Sequence, residues 1–262
     1  MKNLKNKTAL ITGASSGIGE AFAYELAKQG ANLIITARSA QKLETIATLI
    51  RKAYDVKVSI FIENLAIGGS AEQLFNAIKK ENLNIDLLVN NAGFGKWTNF
   101  LDQSISTYEE MIELNITSLT TLSQLVIPEM LQRKEGGIIN VASTGAFQPC
   151  PYITTYCASK AFVLSFSEGL YGEFYKKGIT ITALCPGNTA TGFQSTAKAN
   201  TKGMRADSSE TVAKEGIKAL LKGKSYKVVG TDNYITTLLP RFLTRKAIIN
   251  LVAKMMGSKV NN

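Results

Sequence analysis

The sequence has no histidine and only three cysteines, and both shortages restrict its chemistry. Without histidine the chain cannot form a Ser-His-Asp or Cys-His catalytic arrangement, a histidine-ligated metal site or the usual histidine pH switch. Three cysteines without histidine cannot complete a standard four-ligand zinc site either, so we predict no metal. The cysteines are Cys150, Cys157 and Cys185, whose odd number and apolar or small neighbours are typical of reduced, buried thiols.

Long hydrophobic runs are also missing. No stretch of about 18 or more uncharged apolar residues occurs, so the sequence predicts no transmembrane helix. The N-terminus, MKNLKNKTALIT, starts with basic residues but lacks the long apolar core and the small-residue cleavage site of a signal peptide. We therefore expect a cytoplasmic protein.

Positive charge is in excess, with 30 Lys and Arg against 20 Asp and Glu, or +10 overall. Such an excess is compatible with nucleic acid, an anionic membrane surface, or an acidic substrate or cofactor. Residues 1–200 hold 18 basic and 16 acidic side chains, whereas residues 201–262 hold 12 and 4. The excess is therefore local to the C-terminal quarter. That quarter lacks interleaved aromatics and a DNA-binding motif, so we expect no nucleic-acid partner.

Short β-branched runs alternate with longer segments of helical period, a pattern typical of a parallel sheet covered by helices on both faces. We predict a doubly wound (Rossmann) three-layer α/β fold with about seven strands. The strands are predicted at 8–12, 32–36, 56–62, 85–89, 137–141, 179–184 and 226–229. The helices are predicted at about 17–29, 40–53, 70–81, 106–134, 155–177 and 208–222.

No linker or repeat interrupts this series, so we expect a single domain spanning residues 1–262. Residues 192–207 are small, polar and weakly periodic, which is compatible with a plain surface loop. They follow a predicted strand end, where ligands bind in such sheets, so we favour a substrate lid.

A glycine-rich turn, TGASSGIG, follows the first predicted strand and precedes a helix. Gly13, Gly17 and Gly19 would let the backbone approach a pyrophosphate, whose charge the helix N-terminus attracts. Glycines alone would also suit a tight strand-to-helix turn. Their position after the first strand favours a dinucleotide site.

The second predicted strand ends in Thr36-Ala37-Arg38-Ser39, with no acidic residue where NAD-binding proteins hold the adenosine ribose. An acidic side chain would repel a 2′-phosphate, whereas Arg38 supplies a forked cation for it. This predicts NADP(H) as cofactor. The alternative is that Arg38 is a solvated surface charge.

Tyr156 and Lys160 lie four residues apart and therefore share one face of a helix. A nearby ammonium stabilises a phenolate and lowers the pKa of tyrosine from its usual value of about 10. Such a pair can perform acid-base chemistry without histidine. Taken alone, however, this spacing is more often a surface pair.

Six motifs occur in the order and spacing of one family: TGASSGIG, NNAG, Asn115, Ser143, YCASK and Pro186-Gly187. From about Lys5 to Val229 the chain resembles the short-chain dehydrogenase/reductase family. The resemblance implies an NADP-dependent oxidoreductase that transfers a hydride between nicotinamide and a carbonyl or secondary alcohol. The alternatives are a non-catalytic NADP(H)-binding regulatory protein and a membrane-surface reductase of lipids or steroids.

The resemblance also implies a catalytic tetrad. Tyr156 would exchange a proton with the substrate oxygen, and Lys160 would lower the pKa of Tyr156 and bind the nicotinamide ribose. Ser143 would hold and polarise the carbonyl. Asn115 would kink its helix and hold a water in a proton relay to Lys160.

Cofactor and substrate contacts are implied in the same way. The cofactor contacts, besides Tyr156 and Lys160, are Gly13, Ser15, Ser16, Gly17, Ile18, Gly19, Arg38, Asn64, Leu65, Asn91, Ala92, Gly93, Pro186, Gly187, Thr189 and Thr191. Asn64 departs from the family, which usually has Asp there, but its amide oxygen can still accept a hydrogen bond from adenine. The substrate contacts are Ser143, Gln148, Tyr156 and Phe193.

The tail, residues 233–262, contains five basic and no acidic residues. Its apolar residues at helical spacing are Leu239, Phe242, Leu243, Ile248, Ile249, Leu251, Val252 and Met255. Three interpretations stay open: packing on the protein or a second subunit, contact with an anionic membrane, or attraction of an acidic carrier or acyl-CoA. The tail also resembles, more weakly, those of DltE-type, steroid and 3-oxoacyl reductases, which implies an apolar substrate. The helices at 106–134 and 155–177 resemble the family's dimer-forming pair, so we expect a homodimer or homotetramer.

Overall fold

Seven parallel strands form one sheet in a computed structural model that describes residues 1, 3–201, 203 and 205–260. The strand order is β3-β2-β1-β4-β5-β6-β7. The strands are β1 (Thr8–Thr12), β2 (Asn32–Ala37), β3 (Val58–Ile62), β4 (Leu87–Asn90), β5 (Gly136–Val141), β6 (Ile179–Cys185) and β7 (Tyr226–Val228). The predicted fold class and strand number are confirmed. Lys202 and Met204 of the predicted lid, and Asn261 and Asn262 of the predicted tail, lie outside the described residues.

Ten α-helices connect and follow the strands in the part of the chain that is described. They are α1 (Gly17–Lys28), α2 (Ala40–Ala53), α3 (Ser70–Lys80), α4 (Ile105–Ile112), α5 (Ser118–Arg133), α6 (Thr154–Phe174), α7 (Phe193–Ala197), α8 (Ser209–Leu221), α9 (Thr231–Leu238) and α10 (Arg245–Val260). No helix in the described ranges combines the length and apolar character needed to cross a membrane.

Two predicted helices differ from the structure. The single helix predicted at 106–134 is divided, because a π-helical turn, Glu113–Thr117, separates α4 from α5. The prediction for 155–177 extended too far, since α6 ends at Phe174 and a 3₁₀ turn continues to Lys177. The segment predicted as a loop at 192–207 contains the short helix α7.

The sheet separates two cores, because successive strand residues point to opposite faces. Leu10 and Ile11 of β1 belong to different cores, as do Ile138 and Ile139 of β5. One core is closed by side chains of α1, α2 and α8, and the other by side chains of α3, α5 and α6. Strands buried on both faces explain why the strand sequences are nearly continuous apolar runs.

Strands β1 to β3 extend the sheet in one direction and β4 to β7 extend it in the other, so the strand order reverses between β1 and β4, which pair in the middle of the sheet. A doubly wound sheet binds ligands at this point, beyond the carboxyl ends of its strands. Thr12, the last residue of β1, joins the two strand ends there. Its hydroxyl oxygen accepts hydrogen bonds from the backbone N–H groups of Asn91 and Ala92, both at 3.0 Å. The Asn91 side chain in turn donates a hydrogen bond to the carbonyl oxygen of Thr12 at 2.9 Å.

We expect Thr12→Val to lower the free energy of unfolding by roughly 1–3 kcal/mol, because it leaves two backbone N–H groups without their acceptor. Thr36→Val is the matched control. Thr36 lies opposite Thr12 on β2, and its hydroxyl is buried without a hydrogen-bond partner among the described residues. That substitution is expected to be neutral or stabilising in urea unfolding. Equal losses in the two variants would contradict the role given to Thr12.

Candidate active site

The glycine-rich turn between β1 and α1 lies tightly against its neighbours. Gly13 and Gly17 have φ values of +65° and +60°, which favour glycine. A Cβ atom on Gly13 would lie 2.9 Å from the Cα atom of Ala92. The N-cap residue of α1, Ser16, makes no side-chain capping hydrogen bond to the first amides of the helix. Ser15 and Ile18 belong to the same turn, which therefore presents backbone N–H groups suited to a pyrophosphate.

Arg38 follows β2 directly and is exposed at the same edge of the sheet. It forms no ion pair within the described ranges. A hydrogen bond of 3.2 Å from Ala14 N to the carbonyl oxygen of Thr36 holds the end of β2 beside the glycine-rich turn. The guanidinium is therefore an unpaired cation near the predicted cofactor site.

Asn64 and Leu65 follow β3 and are held in a turn. The side-chain oxygen of Asn64 accepts a hydrogen bond from Ala66 N at 3.3 Å. The carbonyl oxygen of Leu65 accepts one from the Ser118 hydroxyl at 2.7 Å. Since an amide oxygen has two lone pairs, the Asn64 side chain can close this turn and still accept from adenine, which stays a prediction.

The NNAG loop after β4 reaches two members of the predicted tetrad. A Cβ atom on Gly93 would lie 2.9 Å from the side-chain oxygen of Asn115 and 3.4 Å from the Lys160 ammonium nitrogen. Glycine at this position lets the backbone approach both groups closely. Asn91, by contrast, points its amide nitrogen at the carbonyl oxygens of Thr12 and Gly13. Its supporting role in the glycine-rich turn was not predicted from the sequence.

Asn115 lies in the π-helical turn, where the kink was predicted, and is 1% exposed. Its side-chain nitrogen donates to the Phe94 carbonyl oxygen and to the Ser159 hydroxyl, both at 3.0 Å. Its side-chain oxygen accepts from Phe94 N at 3.1 Å. The amide therefore joins the NNAG loop to the residue preceding Lys160. A water in a proton relay stays a prediction.

Lys160 and Tyr156 both lie in the first turns of α6, beside the end of β5. The Lys160 ammonium is buried, donates to the Val141 carbonyl oxygen at 2.8 Å and lies 5.7 Å from the centre of the Tyr156 ring. Ser143 follows β5, and its hydroxyl accepts from Gly145 N at 3.0 Å. The structure therefore brings all four residues of the predicted tetrad together at one strand end.

Burial determines the electrostatics of this pair. It lowers the pKa of Lys160 to about 8 from the ordinary value of 10.5. It raises the pKa of Tyr156 well above its usual range, although hydrogen bonding with the Ser143 side chain opposes the shift. The direction of the Tyr156 shift is set first by burial, and the lowering expected from the Lys160 ammonium stays a prediction.

The segment after β6 borders both the glycine-rich turn and the tetrad. The Pro186 carbonyl oxygen accepts a hydrogen bond from Thr144 N at 2.9 Å, next to Ser143. Thr189 donates to the Gly187 carbonyl oxygen at 3.1 Å. A Cβ atom on Gly17 would lie 2.9 Å from the Thr191 methyl carbon. Thr191 therefore touches the predicted pyrophosphate loop.

Helix α7 covers Tyr156. The Phe193 ring lies 5.3 Å from the Tyr156 ring, at an interplanar angle of 49°. Trp97 N donates to the Ala197 carbonyl oxygen at 3.0 Å, which fixes the end of α7 to the loop after β4. The Gln194 side chain bonds to the Thr189 carbonyl oxygen and holds the start of α7. The segment thus occupies a closed position over the tetrad.

Sequence reasoning missed Gln194 and Gly95. A Cβ atom on Gly95 would lie 2.8 Å from the Tyr156 ring, so glycine is needed for the ring to pack there. An isolated glycine two residues after NNAG was a usable signal of close approach. Gln194 gave no such signal, because its role depends on a contact across a loop. Gln148, predicted to bind substrate, has a buried side-chain oxygen without a hydrogen-bond partner among the described residues.

The three cysteines form no disulfide and are buried, as predicted. Cys157 packs beneath the loop that carries Ser143, since a Cβ atom on Gly145 would lie 2.6 Å from its sulfur. Among the described residues, no group of three or more Cys, Asp or Glu side chains is arranged to hold a metal ion.

Three features meet at one edge of the sheet: the glycine-rich turn after β1, the unpaired Arg38 after β2 and the buried Tyr156–Lys160 pair. Together they define a dinucleotide-binding protein of the doubly wound type. Residues 7–202 match the short chain dehydrogenase family. The chain belongs to this family of oxidoreductases.

Named relatives come from several organisms. The chain is 38% identical to a very-long-chain 3-oxoacyl-CoA reductase of Anas platyrhynchos over 189 residues, which cover 70% of this chain and 60% of that protein. It is 31% identical to the Homo sapiens protein of the same name over 252 residues, covering 93% and 78%. The chain therefore spans about 60% of the length of the first of these relatives.

A solved structure agrees with the fold. A short-chain dehydrogenase from Sphingobium yanoikuyae, in complex with NADPH, superposes with a TM-score of 0.81 at 28% identity. The match covers 91% of this chain and 97% of that one.

The lowered pKa of Lys160 predicts that the stability of the protein depends on pH. The folded protein loses this proton near pH 8 and the unfolded chain near pH 10.5, so between these values the unfolded state binds more protons. The free energy of unfolding of the wild type, relative to Lys160→Met, should therefore rise across this window, by up to about 3 kcal/mol. Urea unfolding at a series of pH values measures it. The exposed Lys52→Met variant is the control, and a difference from Lys160→Met that does not change with pH would contradict the shift.

Proposed function

We propose that this chain is an NADPH-dependent carbonyl reductase that acts reversibly, interconverting an apolar ketone or aldehyde and the corresponding alcohol. The observation that carries the proposal is the buried Tyr156–Lys160 pair, with Ser143 beside it, at the end of the sheet that holds the glycine-rich turn. A phenol and an ammonium placed at a dinucleotide site are suited to proton exchange with a substrate oxygen.

The residues present fit NADP(H). A Cβ atom at Gly13 or Gly17 would collide with neighbouring atoms, so glycine is needed for the turn to keep its shape. Helix α1 begins at this turn and presents its first backbone amides there. Arg38 would pair with the 2′-phosphate, because a guanidinium matches phosphate geometry. Thr189 and Thr191 would bind the nicotinamide side. NADPH, when bound, supplies the hydride that reduces the carbonyl carbon.

Tyr156 would act as the acid in reduction. Its raised pKa keeps the phenol protonated at neutral pH, so it can give its proton to the carbonyl oxygen. Ser143, which interacts with the same phenol, would hold and polarise that oxygen. Lys160, with a pKa of about 8, carries a proton that exchanges readily near neutral pH and could restore the one lost by Tyr156. Asn115 would keep the helix and the NNAG loop in register with Lys160.

The residues around Tyr156, where the substrate would bind, are mostly apolar. An apolar substrate is also suggested by the name of one relative, a very-long-chain 3-oxoacyl-CoA reductase. Phe193 lies over Tyr156, and Cys150, Ile153 and Trp97 pack in the same cluster. We propose residues 192–207 as a lid that opens for the substrate, and the Gln148 oxygen as an acceptor for a polar group on it. The proposal includes a single domain, a homodimer or homotetramer, and a cytoplasmic location.

Replacing the acid tests the catalytic proposal. We expect Tyr156→Phe to lower kcat/KM for carbonyl reduction by roughly 100- to 10,000-fold, because the proton donor is lost. NADPH binding should persist, and it is measured by the fluorescence of the bound cofactor. Tyr175→Phe, at an exposed tyrosine beyond α6, is the matched control. Unchanged turnover in Tyr156→Phe would refute the mechanism. NADPH binding by the wild type with no turnover on a ketone panel would instead favour a regulatory binding protein.

Cofactor choice is tested at Arg38. We expect Arg38→Ala to reduce the preference for NADPH over NADH, expressed as the ratio of their Kd values, by roughly ten- to a hundredfold. Lys52→Ala removes one charge from exposed surface on α2 and should leave the ratio as it is. An unaltered ratio in Arg38→Ala would mean that the guanidinium is only a surface charge.

A further inference from the structure

The C-terminal segment presents two different apolar surfaces. Three side chains at four-residue spacing, Ile248, Val252 and Met256, are buried and form one stripe of α10. They pack in one cluster with Tyr152, Tyr156 and Cys150. This stripe confirms that the tail packs on the protein's own body, on the substrate side of the tetrad.

Most of the remaining apolar side chains of the segment are exposed. Phe242 is 81% exposed and Leu251 is 51% exposed. Ile235, Leu239, Leu243, Ile249 and Met255 are exposed as well. Large apolar side chains grouped in one segment, away from the core, indicate a surface that contacts something apolar. We call these seven residues the tail surface.

Cations accompany the tail surface. Arg241, Arg245, Lys246 and Lys254 are exposed and form no ion pair with any residue that the structure describes. The sequence from Asn233 to the end contains no acidic residue. A partner of this surface must therefore supply both apolar contact and negative charge.

A second copy of the chain fits poorly. In a symmetric dimer the same patch meets itself, so the cations Arg241, Arg245 and Lys246 of one copy would approach those of the other. No carboxylate within the segment could offset that repulsion. An anionic bilayer, by contrast, accepts separate protruding apolar side chains and attracts the cations around them.

We propose that the tail surface docks on an anionic lipid bilayer. Arg241, Arg245, Lys246 and Lys254 would contact the headgroups, while Phe242, Leu251 and Met255 enter the boundary with the acyl chains. Because the buried stripe of the same helix packs on Tyr152 and Tyr156, docking brings the substrate side of the tetrad next to the bilayer. An apolar substrate could then pass from lipid to site without crossing water. This last link rests on the proposed function, whereas docking itself does not.

Cosedimentation of the full-length protein with vesicles tests the docking. The wild type should bind vesicles of phosphatidylcholine and phosphatidylglycerol, and much less those of phosphatidylcholine alone. Arg245→Gln with Lys246→Gln should weaken binding by roughly fivefold for each charge removed. Leu251→Ser with Met255→Ser should weaken it through lost apolar contact. Salt of about 0.5 M should also weaken it, because headgroup attraction is screened.

The matched control is Lys28→Gln with Lys52→Gln, which removes the same charge from exposed positions on α1 and α2. It should bind vesicles like the wild type. An equal loss in this control would overturn the proposal, because attraction would then depend on net charge alone. No vesicle binding by the wild type would overturn it too. So would a dimer, seen by sedimentation velocity, that Leu251→Ser with Met255→Ser dissociates without changing vesicle binding.

Reduction of a water-soluble ketone without vesicles separates this proposal from the proposed function. The tail variants should retain that activity and NADPH binding, which also shows that they fold. Loss of vesicle binding with activity retained supports docking. Vesicle binding by a protein that reduces no ketone would leave docking standing and refute the reductase.

Discussion

One buried ammonium group, that of Lys160, organises the candidate site. An unpaired buried charge is costly, so a lysine here requires close polar partners. The Val141 carbonyl oxygen at the end of β5 is one partner, and the NNAG loop passes close by at Gly93. These elements come from different parts of the chain, so their strand ends must be held in register. The Thr12 hydroxyl joins β1 to β4, and the Asn90 side chain donates to that of Asn140 to join β4 to β5.

The same burial separates the acid-base properties of the two central residues. The pKa of Lys160 is lowered and that of Tyr156 is raised, and pairs of groups shifted apart in this way are typical of acid-base sites. A protonated phenol is ready to give a proton, whereas it must first lose one before it can accept another. Both groups hold a proton at neutral pH, which is compatible with proton exchange at a substrate oxygen.

The sequence predicted what depends on local patterns. Short β-branched apolar runs indicated the strands, and the glycine-rich turn and the four-residue spacing of Tyr156 and Lys160 indicated the main parts of the site. It could not predict features that depend on contacts between distant segments. The family resemblance placed a kink at Asn115 but did not show that its side chain bonds to Phe94, and α7 is held by Gln194 and Trp97. The raised pKa of Tyr156 could not be read from the sequence either, because it depends on how deeply the ring is buried.

Thr191 and Phe193 belong to one short segment, and each touches a different half of the candidate site. Thr191 contacts the glycine-rich turn, and Phe193 lies on Tyr156. A dinucleotide and a ketone would consequently share a gate, since moving the segment for one uncovers the place of the other.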